Sequence, residues 1–119
     1  MKAREMDSVR LEELLKSDKP VLVDFWAPWC TYCRRISDAY DRIAEQYGDR
    51  LHVVKVNIDD NEALTVRESI EVIPTLVLYQ SGRALGSIVA PESRTMIETF
   101  IGETMHEAAR RADEPDTAW

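Results

Sequence analysis

The chain has 119 residues, of which 45% are hydrophobic and 31% charged, and its formal net charge is −7. This length suits one domain with a sizeable hydrophobic core, and the acidic balance argues against nucleic acid or an anionic membrane as a partner. No apolar run reaches the roughly 20 residues of a membrane span, and the charged N-terminal residues lack the apolar segment of a signal peptide. We therefore expect a cytoplasmic protein.

The hydrophobic pattern predicts strands and helices in alternation. A short edge strand is predicted at residues 2–6, and a helix capped by Asp7 and Ser8 follows and ends near Pro20. The next elements are an apolar strand at 21–26, a long helix from Cys30 to Gly48, a strand at 51–58 and a short helix at 61–69. Strands at 75–79 and 84–90 and a helix from Ser93 complete the pattern.

This order of elements predicts an α/β fold with a central mixed sheet of four to five strands and helices on both faces. We assign residues 1–111 to this domain and expect residues 112–119 to form a mobile tail. In open α/β sheets, sites lie beyond the carboxyl ends of the central strands. The strand at 21–26 leads to such a position.

Cys30 and Cys33, the only cysteines, are separated by two residues at the predicted start of a helix. This spacing places both thiols on one face of the first helical turn, where they can close and reopen a small disulfide ring. The positive end of the helix dipole makes the first thiol ionise more easily. The pair is therefore interpreted as a site of thiol–disulfide exchange.

Three other interpretations of the cysteine pair stay open. A structural disulfide across two residues closes almost no loop, so it would stabilise the fold little. A zinc site needs four ligands, and His52 and His106 do not have the usual spacing, so we expect no bound metal. We also expect no other cofactor. Two inert buried thiols are disfavoured by the flanking tryptophans and by the position before a helix.

Asp24 is a further candidate because it lies within an apolar strand. Burial disfavours the charged carboxylate and raises its pKa. A carboxyl group of this kind near Cys33 could accept and return a proton. The alternative is that Asp24 lies at an exposed strand end and has no such role.

Three segments resemble the thioredoxin family in order and spacing, namely residues 21–30 (VLVDFWAPWC), 53–59 (VVKVNID) and 73–76 (IPTL). The fit extends over roughly residues 7 to 102. It implies a thioredoxin fold and a protein-disulfide reductase. In this interpretation Cys30, exposed at the helix start, attacks a substrate disulfide, and Cys33 resolves the mixed disulfide.

The resemblance also implies roles for residues outside the cysteine motif. Lys55 matches the family lysine that pairs with the aspartate at position 24, and the Ile73–Pro74 bond matches a cis-proline loop that offers backbone to the substrate. The residues expected to contact substrate are Trp29, Tyr32, Val72, Ile73, Pro74 and Ala90. The expected partners are protein disulfides and an electron donor resembling thioredoxin reductase, and we expect a monomer.

The chain departs from the usual family pattern at the site. Thr31 and Tyr32 replace the usual Gly-Pro, and Arg34 and Arg35 follow where one basic residue is usual. Because cations near Cys30 favour its thiolate, we expect a slightly less reducing couple.

Two family glycines of the groove are Val72 and Ala90 here. Since glycine lets a substrate backbone approach closely, their side chains should narrow the groove. A more oxidising exchanger or isomerase, and a redox-independent binding module, are the alternative functions.

Overall fold

The computed structural model describes residues 2–113, within which five strands and four α-helices form one α/β unit. The strands are β1 (Arg4–Glu5), β2 (Val21–Trp26), β3 (His52–Asn57), β4 (Thr75–Gln80) and β5 (Arg83–Val89). The helices are α1 (Ser8–Leu14), α2 (Thr31–Tyr47), α3 (Glu62–Arg67) and α4 (Arg94–Asp113). No helix in this range is both long and apolar enough to cross a lipid bilayer.

The strands form one mixed sheet in the order β1-β3-β2-β4-β5. Strand β3 is parallel to both β1 and β2, whereas β4 is antiparallel to β2 and to β5. The predicted fold class and mixed sheet are confirmed. Because β2 is central, Asp24 has a neighbour on each side: Lys55 on β3 and Leu76 on β4.

Hydrophobic side chains cover β2 on both faces, as its continuous apolar run predicted. One core packs Leu22 against Tyr40 and Ile43 of α2 and Ile97 of α4. A second core on β2 contains Val21, Val23 and Phe25 together with Leu11 of α1 and Leu64 of α3. Full burial of one such side chain contributes about 1.5–3 kcal/mol, so these two cores fix the position of β2.

The helix starts follow their predicted caps. The Asp7 carboxylate accepts a hydrogen bond from the Arg10 amide at 2.8 Å, and the Ser93 hydroxyl accepts one from the Met96 amide at 3.2 Å. The short helix α3 ends two residues before the predicted end at Ser69, which adopts a positive φ of 58° and cannot continue a helix.

Helix α4 extends two residues past the predicted start of the tail at residue 112. Helix α4 continues through Asp113, because its last turns still have good helix formers and an ion pair between Glu107 and Arg111 at 3.3 Å. The rest of the predicted tail, residues 114–119, lies outside the described residues.

Candidate functional site

Cys30 and Cys33 form a disulfide at the start of α2, with their Cα atoms 5.2 Å apart. Cys30 is the N-cap residue of this helix, and its Sγ accepts a hydrogen bond from the Cys33 amide at 3.1 Å. Both sulfurs therefore lie at the positive end of the helix dipole, where a thiolate is stabilised. This is the arrangement that the spacing of the motif predicted.

The accessibility of Cys30 differs from the expectation. Only 8% of Cys30 is exposed in the disulfide state, against 3% of Cys33, so the expectation of an exposed Cys30 is wrong for this state. Cys30 packs beside Ala27, and its Sγ lies 3.9 Å from the carbonyl oxygen of Ile73. The loop before β4 thus limits access to the sulfur.

Three backbone segments meet beside this sulfur. The Ile73–Pro74 peptide bond is cis, as the resemblance implied, and the Pro74 carbonyl accepts a hydrogen bond from the Ala90 amide at 2.8 Å. The Tyr32 hydroxyl lies 3.4 Å from the carbonyl oxygen of Ala90 and 3.2 Å from that of Pro91, so its proton is shared between them. Tyr32 therefore ties the first turn of α2 to the end of β5.

Exposed apolar side chains also lie near the disulfide. Trp29 is 64% exposed, and its indole N–H donates to Asp59 at 2.9 Å; Val72, beside the cis bond, is 56% exposed. We call the surface around Cys30 the Cys30 groove and define it by Trp29, Tyr32, Val72, Ile73, Pro74 and Ala90.

Ala90 adopts a positive φ of 47°. The left-handed region costs an L-residue with a Cβ roughly 1–2 kcal/mol, a cost that glycine avoids. The backbone therefore still has the shape that favours glycine, although the residue is alanine.

Asp24 lies in a cavity of about 180 Å³. We call it the Asp24 cavity and define it by its lining residues, which are Asp24, Trp26, Cys33, Arg34, Ser37, Tyr40 and Lys55. Asp24 is 4% exposed, and its Oδ1 has no hydrogen-bond partner. The alternative of an exposed strand end is therefore wrong, and the carboxyl group lines the same cavity as Cys33.

The charge on Asp24 is controlled mainly by burial. Desolvation raises the pKa of Asp24 to about 7, the positive charge of Lys55 opposes this rise, and the negative charge of Glu5 adds to it. A carboxyl group with a pKa near neutrality can both take up and release a proton under physiological conditions.

Lys55 does not form the direct pair with Asp24 that the resemblance implied. Its Nζ lies 4.3 Å from the centre of the Trp26 ring, and the ion pairs of the described residues do not include one between Lys55 and Asp24. The lysine instead acts on Asp24 through space, because the two residues are neighbours across β2 and β3.

The two arginines after the motif contact other groups near it. The Arg34 guanidinium donates to the Pro28 carbonyl at 3.3 Å, and the Arg35 guanidinium lies 6.0 Å from the centre of the Tyr32 ring. Both positive charges therefore stay near the first turn of α2.

Sequence reasoning missed Glu5 entirely. One oxygen of its carboxylate accepts hydrogen bonds from the Trp26 indole at 3.3 Å and from the Asn57 amide at 3.1 Å. A charged residue in a two-residue edge strand carries no pattern that places it beside Trp26. Only the parallel pairing of β1 with β3 reveals the contact.

Comparison with known proteins agrees with this geometry. The sequence model of the thioredoxin family matches residues 5–103. Thioredoxin 1 of Nostoc sp. is 42% identical over 99 residues, covering 83% of this chain and 92% of the relative. Thioredoxin 1 of Synechococcus elongatus is 42% identical over 95 residues, with 80% and 89% covered. Thioredoxin of Griffithsia pacifica is 44% identical over 90 residues, with 75% and 83% covered. The chain thus belongs to the thioredoxin family, and it is a thiol–disulfide oxidoreductase with a Cys30–Cys33 pair.

Proposed function

We propose that this oxidoreductase reduces protein disulfides, with Cys30 as the nucleophile and Cys33 as the resolving thiol. The Cys30 thiolate attacks one substrate sulfur, the substrate S–S bond breaks, and the other substrate sulfur leaves as a thiolate that takes up a proton. Cys33 then attacks the Cys30 sulfur and releases the second substrate sulfur. Two electrons pass to the substrate, and the Cys30–Cys33 disulfide forms.

The observation that carries this assignment is the placement of the two sulfurs on α2. Cys30 is the N-cap and the more accessible of the two, whereas Cys33 lies one turn inside and lines the Asp24 cavity. The outer sulfur suits attack on a partner, and the inner one suits an internal second step.

Asp24 is proposed to serve the second step as a proton relay. It takes the proton from Cys33 as this thiol attacks and returns it when the pair is reduced again. The shared cavity and the pKa of about 7 for Asp24 support this role. Lys55 is proposed to tune the charge of Asp24 rather than to touch the reacting sulfurs.

The Cys30 groove is proposed to bind the substrate polypeptide. The Ile73 carbonyl oxygen, 3.9 Å from the Cys30 sulfur, supports backbone pairing with the residues that flank a substrate cysteine. Trp29 and Val72 offer apolar contact, and Tyr32 and Ala90 shape the end of the groove.

We further propose a monomer in the cytoplasm that receives electrons from a reductase resembling thioredoxin reductase. A dithiol that cycles between reduced and oxidised states suits a reducing compartment, which supports this location. The match to relatives named thioredoxin over most of their length supports this kind of electron donor.

The test is capture of substrates from a cell extract. Cys33→Ser keeps the nucleophile but lacks the resolving thiol, so mixed disulfides through Cys30 should accumulate and be released by dithiothreitol. Cys30→Ser, the matched control, should capture none and should show no turnover of protein disulfides. Turnover retained by Cys30→Ser would contradict the assignment, and a partner retained by Cys30→Ser after reduction would favour a redox-independent binding module.

A further inference from the structure

Three charged residues form a row across the sheet. The register of the parallel strands pairs Glu5 of β1 with Lys55 of β3, and Lys55 with Asp24 of β2. Side chains at paired positions of parallel strands share a face, and adjacent strands are about 4.8 Å apart. The backbone positions of the two acidic residues are therefore separated by roughly 10 Å, with a lysine between them.

The Lys55 ammonium has a carboxyl neighbour on each side, yet it lies over the Trp26 ring, 4.3 Å from the ring centre. A cation over an indole face is attracted by the negative charge of the ring face. The Trp26 indole is held by its N–H bond to Glu5 Oε2 at 3.3 Å. The same oxygen is fixed by the Asn57 amide at 3.1 Å, so Glu5 is anchored to the end of β3.

We propose that Glu5 is a positioning residue that orients the Trp26 indole, holds Lys55 over it, and so sets the charge around Asp24. The effect on catalysis rests on the relay role proposed above for Asp24. The effect on the charge of Asp24 does not depend on that role, so the two can be tested separately.

Groups from the neighbouring strands and from α2 surround Asp24. They are Lys55 from β3 with Glu5 beyond it, Cys33, Arg34 and Tyr40 from α2, and the apolar Leu76 from β4. The negative charge of Glu5 raises the pKa of Asp24, and Lys55 lowers it. Removing Glu5 deletes the first effect and also frees Lys55 to approach Asp24. Both consequences lower the pKa of Asp24.

The test is a titration of the Asp24 carboxyl group by ¹³C NMR in the oxidised protein, where the cysteines do not titrate. Glu5→Gln keeps an oxygen for the indole N–H but removes the charge, and should lower the Asp24 midpoint by roughly half a unit to one unit, as expected for the loss of one charge two strands away. Glu5→Ala also frees the indole and should lower the midpoint further. The control, Glu13→Gln on α1, removes the same charge from an ion pair with Lys16 and should leave the midpoint unchanged.

The pH dependence of disulfide reduction is the second readout. The acidic limb of the rate profile should move to lower pH in Glu5→Gln, because Asp24 ionises earlier. In an Asp24→Asn background, Glu5→Gln should produce no further displacement. A purely structural role of Glu5 would change the rate at all pH values without displacing this limb.

The outcomes separate the two proposals. An Asp24 midpoint that is unchanged or raised in both Glu5 variants overturns the inference about Glu5, whether or not Asp24 relays protons. A lowered midpoint together with a wild-type rate profile in Asp24→Asn supports the inference about Glu5 and overturns the relay. Glu5 lies on an exposed edge strand and Gln is nearly isosteric, so the Gln variant keeps the test available if the Ala variant is unstable.

Discussion

The Cys30 groove and the Asp24 cavity lie at the same disulfide but differ in chemistry. The groove presents exposed apolar side chains and backbone carbonyls, whereas the cavity is small and holds a buried carboxyl group with a pKa of about 7. The groove also carries the departures from the family pattern at Tyr32, Val72 and Ala90, while the cavity keeps the family aspartate and lysine. If the proposed roles hold, substitutions in the groove should change substrate choice and substitutions in the cavity should change proton transfer.

The largest effect that distinguishes the two regions should come from Asp24→Asn. Asp24 has a pKa of about 7 when folded and 3.8 in its ordinary state, so the folded form binds its proton more tightly. The destabilising contribution of Asp24 is thus absent below pH 3.8 and grows as the pH rises towards about 7. The difference between these two pKa values, roughly three units, corresponds to a loss of about 4 kcal/mol in the free energy of unfolding above pH 7. The substitution should recover much of this free energy of unfolding and slow disulfide reduction.

Urea unfolding of the oxidised protein at pH 5 and pH 8 measures this effect. The gain in stability of Asp24→Asn should be clearly larger at the higher pH. Asp38→Asn, which removes an exposed carboxylate paired with Arg42, should change stability by less than about 1 kcal/mol at either pH. If Asp24→Asn destabilises the protein and leaves the rate of reduction unchanged, Asp24 is structural.

The next effect concerns the two sulfurs, which face different regions. In the reduced protein at pH 7, Cys30 should be alkylated on the order of ten times faster than Cys33, because the helix N-terminus raises its thiolate fraction and Cys33 lies deeper. Timed reaction with iodoacetamide and peptide mass spectrometry gives both rates. Faster alkylation of Cys33 would falsify the assignment of Cys30 as nucleophile.

Local sequence patterns were enough to predict the central strand and the cysteine pair. The apolar run at 21–26 is long enough to indicate burial on both faces, and that burial is the largest cause of the raised pKa of Asp24. The spacing of Cys30 and Cys33 fixes both sulfurs on one helical turn. In each case the sequence pattern that carries the prediction lies within a few residues along the chain.

The remaining features depend on contacts between residues that are distant in sequence. Cys30 is buried by the loop around Ile73, and Tyr32 finds its hydrogen-bond acceptors at Ala90 and Pro91, more than 50 residues later. The position of the Lys55 side chain depends on its contact with the Trp26 ring, and the spacing of residues in the sequence does not predict this contact. Such contacts depend on how side chains pack in the folded protein. The resemblance therefore implied a direct pair between Lys55 and Asp24, whereas in the structure Lys55 lies over the Trp26 ring.

A smaller effect should appear in the reduction potential. Arg34 and Arg35 near the first turn favour the Cys30 thiolate and hence the reduced form, which makes the couple less reducing. If the arginines lower the pKa of Cys30 by one unit, the reduced form is stabilised by about 1.4 kcal/mol, which raises the reduction potential by at most about 30 mV. The reference value for thioredoxin is about −270 mV, and the rise in potential is smaller near neutral pH. Equilibration with a glutathione buffer, followed by tryptophan fluorescence, measures it. A midpoint at or below the reference would leave Thr31 and Tyr32 to be explained by substrate recognition alone.

The smallest change in stability should come from the groove, at Ala90. Ala90→Gly removes a left-handed strain of roughly 1–2 kcal/mol, but it also adds freedom to the unfolded chain that costs about 0.4–1 kcal/mol. The net gain in the free energy of unfolding should be about 0.5–1 kcal/mol, measured by urea unfolding. Ala84→Gly in β5, the strand that precedes Ala90, is the control, because Ala84 has no positive φ and the change should destabilise by about 0.5–1 kcal/mol.

Combined with Val72→Gly, Ala90→Gly should widen the range of protein disulfides reduced without moving the acidic limb of the rate profile. A displaced limb would show that the groove and the cavity are coupled, and an unchanged range would show that the groove tolerates both side chains.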